Sequence, residues 1–376
     1  MRGSKSLRVA LSAAMVSTMA VGVSAWQPIE AFAATADTSW YDSAKDSFTL
    51  KDARDLAGLA QLVNSGKASF KGKTVSFKAG TSLKLDSSYV PVGNAKHAFE
   101  GSFEGNGLNV TGLSISSGTQ YLGLFGHAGE SSVIKDVKVS GKIALKVSKA
   151  SKSIVSYVGG VAGYTAGDLV NCDSAVDISI SSDVTSTLSK NATVYDVGGV
   201  AGRAMGDLTG CDTLKAGSVY VTSSSGPASD DISWVVAYVG GVVGNHGPDV
   251  TLPDVTPTDA LLDGLGNPSS ITSCTNKAKV RILVTAAGEK DRFGNETFAN
   301  SRFLGGIAGY SSGNISSCAN SGAVDSANYS KKGKALNAFG TVATGGIVGG
   351  LRIDKSVAAY TDTEDPGYRY EQVCGE

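Results

Sequence analysis

Short stretches of the chain carry apolar side chains at every second position. Val176, Ile178 and Ile180 are separated by Asp177 and Ser179, and Val280, Ile282 and Val284 keep the same spacing. Ala323-Val324 is a shorter version. A period of two places such residues on one face of a strand, and β-branched residues favour that state. Near the start the period changes. Leu56, Leu59, Ala60 and Val63 fall at i, i+3, i+4 and i+7, which predicts a helix over Lys51 to Asn64. Thr49 and Asp52 read as a capping box before it, and Gly66 as its stop.

The strands recur. Gly159, Gly160 and Gly163 frame a Gly-Gly-Val-Ala-Gly motif that returns at Gly198, Gly199 and Gly202. Close relatives stand at Gly240, Gly241 and Gly244, at Gly305, Gly306 and Gly309, and at Gly345, Gly346 and Gly349, with a shorter form at Gly123 and Gly126. The leading glycines lie 36, 39, 42, 65 and 40 residues apart. A second element ends in a cysteine: Asp168 to Cys172, Asp207 to Cys211, Ile271 to Cys274 and Asn314 to Cys318. Three of these cysteines follow their leading glycine by 13 residues, and Cys274 by 34, so that unit holds 21 extra residues. In the last unit Ala358 takes the cysteine position.

Each unit therefore reads as three short strands separated by turns, with the leading glycine opening a strand at a positive-φ corner. One unit cannot bury its own apolar face, whereas stacked units bury a continuous core. The architecture expected is all-β, a right-handed parallel β-helix with an N-terminal capping helix over the mouth of the solenoid. A β-propeller has a similar period but needs four antiparallel strands per blade. The chain divides into a secretory signal at 1–33, a short linker at 34–47, the cap helix at 48–66, repeats at 67–350 with a loop insertion at 245–270, and a last coil and tail at 351–376.

The order Gly-Gly-Val-Ala-Gly, Gly-Asp-Leu-x-Asn-Cys and Gly-x-Val resembles the GLUG-motif repeats of bacterial secreted and surface proteins. Leu56 to Ala60, Val63 to Gly66, Pro91 to Gly93 and Phe99 to Gly107 resemble the N-terminal part of such proteins. The resemblance spans roughly residues 48–350. It implies a surface location and an adhesin-like role, and it supplies no catalytic residues.

Arg2, Lys5 and Arg8 precede the small apolar run Val9 to Val23, and Ala31-Phe32-Ala33 follows as a cleavage site. This is the three-part export signal, which places the protein outside the cell or on its surface. The run is shorter than the about 20 residues of a membrane span, and no later segment is longer, so the mature chain is read as having no transmembrane segment. Composition narrows the partner. The 33 Lys and Arg balance 34 Asp and Glu, which argues against nucleic acid. With 48 glycines and 41% hydrophobic residues, the chain reads as turn-rich and folded.

Candidate chemistry is sparse. Stacking puts Cys172, Cys211, Cys274 and Cys318 on one line, read as a ladder of buried thiols, with disulfides the alternative in an exported chain. Asp168 with Asp207, and Asp173 with Asp212, form carboxylate pairs one strand spacing apart. They read as turn residues, as weak calcium ligands, or as a glycosidase pair. Gly309 to Gly313 matches a nucleophile elbow around Ser311, but the equivalent place in another unit has Thr165, so it reads as a repeat turn. Tyr157, Tyr164, Tyr195, Tyr238 and Tyr310 flank the Gly-Gly motifs and read as stacked core or as a platform for sugar rings. The prolines and aspartates of 245–270 leave that loop to be read as disordered or as a binding element. Without a converging site, the expectation is a non-enzymatic exported protein that needs no cofactor and binds an extracellular glycan or protein. The alternative is a polysaccharide lyase or glycoside hydrolase.

Overall fold

A computed structural model describes residues 36–117, 120–148, 154–184, 192–225, 234–247, 269–286, 300–329 and 342–351. The segment read as an export signal, residues 248–268 of the insertion, Ala358 and the 352–376 tail lie outside the described residues. Strands dominate, and among the described residues there is one helix, α1 (Ala53–Asn64). The strands pair in parallel, in one fifteen-stranded sheet and two six-stranded sheets.

Each repeat visits the three sheets in the same order. Ile154–Gly159 lies in the first six-stranded sheet, Ala162–Thr165 in the second, and Asp168–Val184 in the large sheet. The next unit follows with Ala192–Gly198, then Ala201–Ala204, then Leu208–Thr209, Asp212–Thr213 and Ser218–Ser225. Registers align equivalent residues without offset: Gly159 with Gly198, Gly198 with Gly240, Gly240 with Gly305, and Gly305 with Gly345. The 21 extra residues of one unit leave this intact, since His246 pairs with Ser311 and Ile271 with Ile315 on either side of them.

Alternation then builds the core. Val158, Val197, Val239 and Leu304 stack from one six-stranded sheet, and Leu169, Leu208 and Ile271 from the large one, all fully buried. Full burial of each such side chain contributes about 1.5–3 kcal/mol.

Two details differ from the sequence reading. The Cys-ending segment and the β-branched segment share one sheet, and the third strand of the unit is the stretch before the leading glycine, which therefore closes a strand instead of opening one. The motif glycines also do not carry positive φ. Left-handed backbone sits one residue before each cysteine, at Asn171, Gly210, Ser273 and Ser317, where it kinks the path through the large sheet. The motif glycines serve close approach. At Gly202, Gly244 and Gly309 a Cβ would fall under 3.0 Å from the backbone nitrogens of Val158, Val197 and Val239, the residues before the leading glycine one unit earlier. Gly160, Gly199, Gly241 and Gly306 instead make room inside for Ser174, Thr213, Asn276 and Asn320.

The N-terminal helix is shorter than predicted, and more of the chain packs around it. Ser47–Leu50 is a strand paired with Thr74–Phe77, so the helix does not begin at 48. Asp52 is the N-cap, accepting from the amides of Arg54 and Asp55, and Asp55 in turn accepts from the Lys51 amide at 2.7 Å. Leu56, Leu59, Leu62 and Val63 of α1 enter the main core. The described part of the 34–47 segment is no linker: Trp40 and Tyr41 pack on Phe48 and Phe70 with centroids 5.5–6.0 Å apart.

Two substitutions of opposite sign test the bend. Gly202→Ala is expected to cost about 1–3 kcal/mol through forced overpacking. Ser273→Gly, at φ 56°, is expected to gain up to about 1 kcal/mol by removing left-handed strain. Urea unfolding midpoints of the two variants check both.

Candidate functional site

Where the chain bends between the two six-stranded sheets, their outward rows meet. Val158 faces the core, so its neighbour Tyr157 faces out. Register extends this row to Tyr121, Asp196, Tyr238 and Phe303. From the facing sheet come His127, Tyr164, Arg203, Asn245 and Tyr310, also one per unit. In the repeat, one row stands two residues before the leading glycine and the other five after it, with His127 one place closer because its unit is a residue shorter.

The two rows pack on each other, side chain against side chain, and fill the crevice of the bend. Tyr121 stacks on His127 at 5.1 Å, and Tyr157 meets Tyr164 edge-on at 5.4 Å. Tyr238 stacks on Phe303 at 5.1 Å, and Phe303 meets Tyr310 at 5.8 Å. Between these clusters Arg203 Nε donates to Asp196 Oδ2 at 2.6 Å, and its guanidinium lies over the Tyr157 ring at 5.2 Å. Arg203, Asp196 and Asn245 are buried, while Tyr121, His127, Tyr164 and Tyr310 are half-buried. The Oδ1 of Asn245 has no hydrogen-bond partner. His127 Nδ1 donates to the Asn94 carbonyl at 2.9 Å, and burial holds its pKa below the ordinary value.

Of the five tyrosines singled out in the sequence, Tyr157, Tyr164, Tyr238 and Tyr310 line this crevice, and Tyr195 points into the main core. Asp196, Arg203 and Asn245 escaped the sequence reading. Aligning the units on their leading glycines and reading the columns two before and five after would have found them.

The other candidates lie elsewhere. Cys172, Cys211 and Cys274 are buried free thiols and Cys318 is a half-buried one. The amide of Cys211 donates to the Cys274 sulfur at 3.3 Å and that of Cys274 to Cys318 at 3.4 Å, while the thiols donate to carbonyls of the preceding unit. Hydrogen bonding to the Cys211 thiol, reinforced by burial, pushes Cys274 up to about 12. Such thiols are poor nucleophiles.

The carboxylate pairs act as rungs. Asp168 Oδ1 accepts the Asp207 amide at 2.9 Å, Asp207 Oδ1 accepts the Ser270 amide at 2.7 Å, and Asp212 Oδ1 accepts the Thr275 amide at 2.8 Å. Asp173 pairs in register with Asp212, and burial, then that neighbouring carboxylate, raises its pKa. Among the described residues no group of three or more His, Cys, Asp or Glu is placed to hold a metal ion.

Ser311 ends strand Ala308–Ser311 and no helix follows it among the described residues, so the strand-to-helix elbow is not formed there. Its hydroxyl is 2.9 Å from His246 Nδ1, whose Nε2 meets Ser269 Oγ at 2.7 Å. Both Ser311 and His246 are fully buried, as a hydrogen-bonded rung of the interior. Arg302 is a second buried group that the sequence did not announce. Its Nε and Nη1 have no hydrogen-bond partner, and burial lowers its pKa to about 10.

The chain matches no protein-family model, no curated protein and no solved structure. No helix among the described residues is long and apolar enough to cross a membrane.

Two stability predictions follow from the buried polar groups. His246 has an ordinary pKa of 6.5 when unfolded, and burial lowers it to about 4 in the fold. The unfolded state therefore binds more protons between these values, so stability falls as pH drops from about 6.5 to about 4, by on the order of 3 kcal/mol. His246→Gln is expected to flatten that part of a urea-midpoint against pH curve. Asp196→Ala leaves Arg203 without its carboxylate partner and is expected to cost about 3–5 kcal/mol, whereas Asp196→Leu combined with Arg203→Met recovers most of it. Thermal melts of the single and double variants check this.

Proposed function

We propose that the three parallel sheets wind as a right-handed parallel β-helix closed at its N-terminal end by α1, and that the protein is exported and acts as a non-enzymatic binding protein for an extracellular glycan or protein. The motif resemblance to GLUG-type surface repeats supports the architecture and the location. The observation that carries the binding reading is the contrast between columns of the repeat. The motif glycines are constant and the place before the leading glycine holds only Val or Leu from Val158 to Leu304, while the outward columns run Tyr, Asp, Tyr, Phe and Tyr, Arg, Asn, Tyr, and the inward column of Ser156, Tyr195, Ala237 and Arg302 varies as well. A constant scaffold that presents a varied row is how repeat proteins form extended contact surfaces.

A carbohydrate-active enzyme is the second reading, and it draws on the Asp173–Asp212 pair with Lys138 and Lys277 close enough to lower the Asp173 pKa. In its favour, two neighbouring carboxyls with the pKa of one of them raised are the arrangement a general acid needs. Against it, Asp212 already accepts a backbone amide of the next unit.

An array of glycans and matrix proteins probed with the full exported chain, with and without calcium, separates these readings. Retention of the chain on defined glycans or proteins, with the arrayed polymers intact, is the expected result. No retention on any of them would sink the binding reading, and release of saccharide products would replace it with the enzyme. A variant lacking 248–268 tells whether the insertion contributes.

A further inference from the structure

Resting on that binding reading, we infer that the crevice between the two six-stranded sheets is the contact surface, and that its ligand is an uncharged, unbranched glycan lying along the stack of units. The charge is settled by the ion pair. Arg203 is the cation of the crevice, and its Nε is committed to Asp196 at 2.6 Å, so the pair is neutral as a whole. The guanidinium's charge is thus balanced within the protein, and the pair offers an anionic polymer no net positive charge.

Asn245 adds a hydrogen-bonding preference. Its Oδ1 is buried and unpartnered, and an oxygen of that kind accepts only. The missing partner is therefore a donor. Carboxylate, sulfate and phosphate offer acceptors there, whereas a sugar hydroxyl offers a donor.

Shape comes from the rings. Tyr164 and Tyr310 are half-buried, and in register they lie on either side of Arg203 and Asn245 in one row. The row thus reads ring, polar, polar, ring across successive units. Tyrosine combines an apolar face with a polar rim, as does a pyranose, whose C–H face packs on a ring while its hydroxyls point sideways. A linear saccharide resting on both rings would present hydroxyls to the polar pair between them once the side chains covering that buried pair part. Tyr121 and His127 prolong the surface toward the cap, with His127 held in place by Asn94.

Calorimetric titration of the full chain with cellohexaose, xylohexaose, mannohexaose and maltohexaose, and with an oligogalacturonate as the acidic member, tests this. Binding of at least one neutral hexaose is expected, weakened about tenfold or more by Tyr164→Ala and retained by Tyr164→Phe, since the ring carries the contact. Asn245→Leu is expected to weaken it comparably while leaving the melting temperature unchanged or raised, because a purely structural orphan would not affect ligand. Neutral binding that both Tyr164→Ala and Asn245→Leu leave untouched overturns the crevice as the site and leaves the binding function standing. Binding of the oligogalacturonate alone overturns the uncharged class. If no oligosaccharide binds, the inference is wrong, and the general binding reading then depends on the protein members of the array.

Discussion

Backbone lying directly on backbone is the contact on which this molecule depends. The third glycine of each motif rests against the main chain just ahead of the leading glycine one unit earlier, at a distance no side chain would permit. That contact sets the sharpness of the bend between the two six-stranded sheets. The bend in turn brings two outward rows face to face and creates a second, smaller packing surface outside the main core. A single β-carbon at such a position would push the strands apart and separate Arg203 from Asp196 as surely as a change in either residue.

The interior shows how a parallel stack handles polar groups. Equivalent residues meet at every level, so a polar residue in one unit must find its partner in the unit above or below. The chain solves this with rows of small hydrogen-bonding residues. Asn276 Nδ2 donates to Asn320 Oδ1 at 2.8 Å, and cysteine sulfurs accept from the amides of the units before them. His246 fits the same logic, held between two serine hydroxyls. Arg302 does not, and nothing in the structure accounts for the burial of a guanidinium with two unpaired nitrogens.

Much of this was legible in the sequence, because an in-register parallel stack turns sequence period directly into spatial adjacency. The helix face of Leu56, Leu59 and Val63 and the core face of Val176, Ile178 and Ile180 followed from period alone. Glycine was the weak point. Its presence signals either positive φ or close approach, and sequence does not distinguish the two. The left-handed positions just before the four repeat cysteines are held by Asn171, Ser273 and Ser317, with one glycine, Gly210. The crevice was missed for a different reason. Motif reading rewards columns that repeat, and Asp196, Arg203 and Asn245 sit in columns that vary.

Zero register offset also makes length and chemistry separable. Val197 and Val239 occupy the same place in successive units, as do Gly198 and Gly240. A deletion of 198–239 would join Val197 to Gly240 and restore the motif at the junction, one unit shorter, with each neighbour still facing its equivalent. Asp196 would then stand across the bend from Asn245, with Arg203 and Tyr238 gone. Recombination between units could thus rewrite the order of residues along the crevice while leaving the motif positions filled, so that a gene of this design can change its outward chemistry without having to solve its folding again.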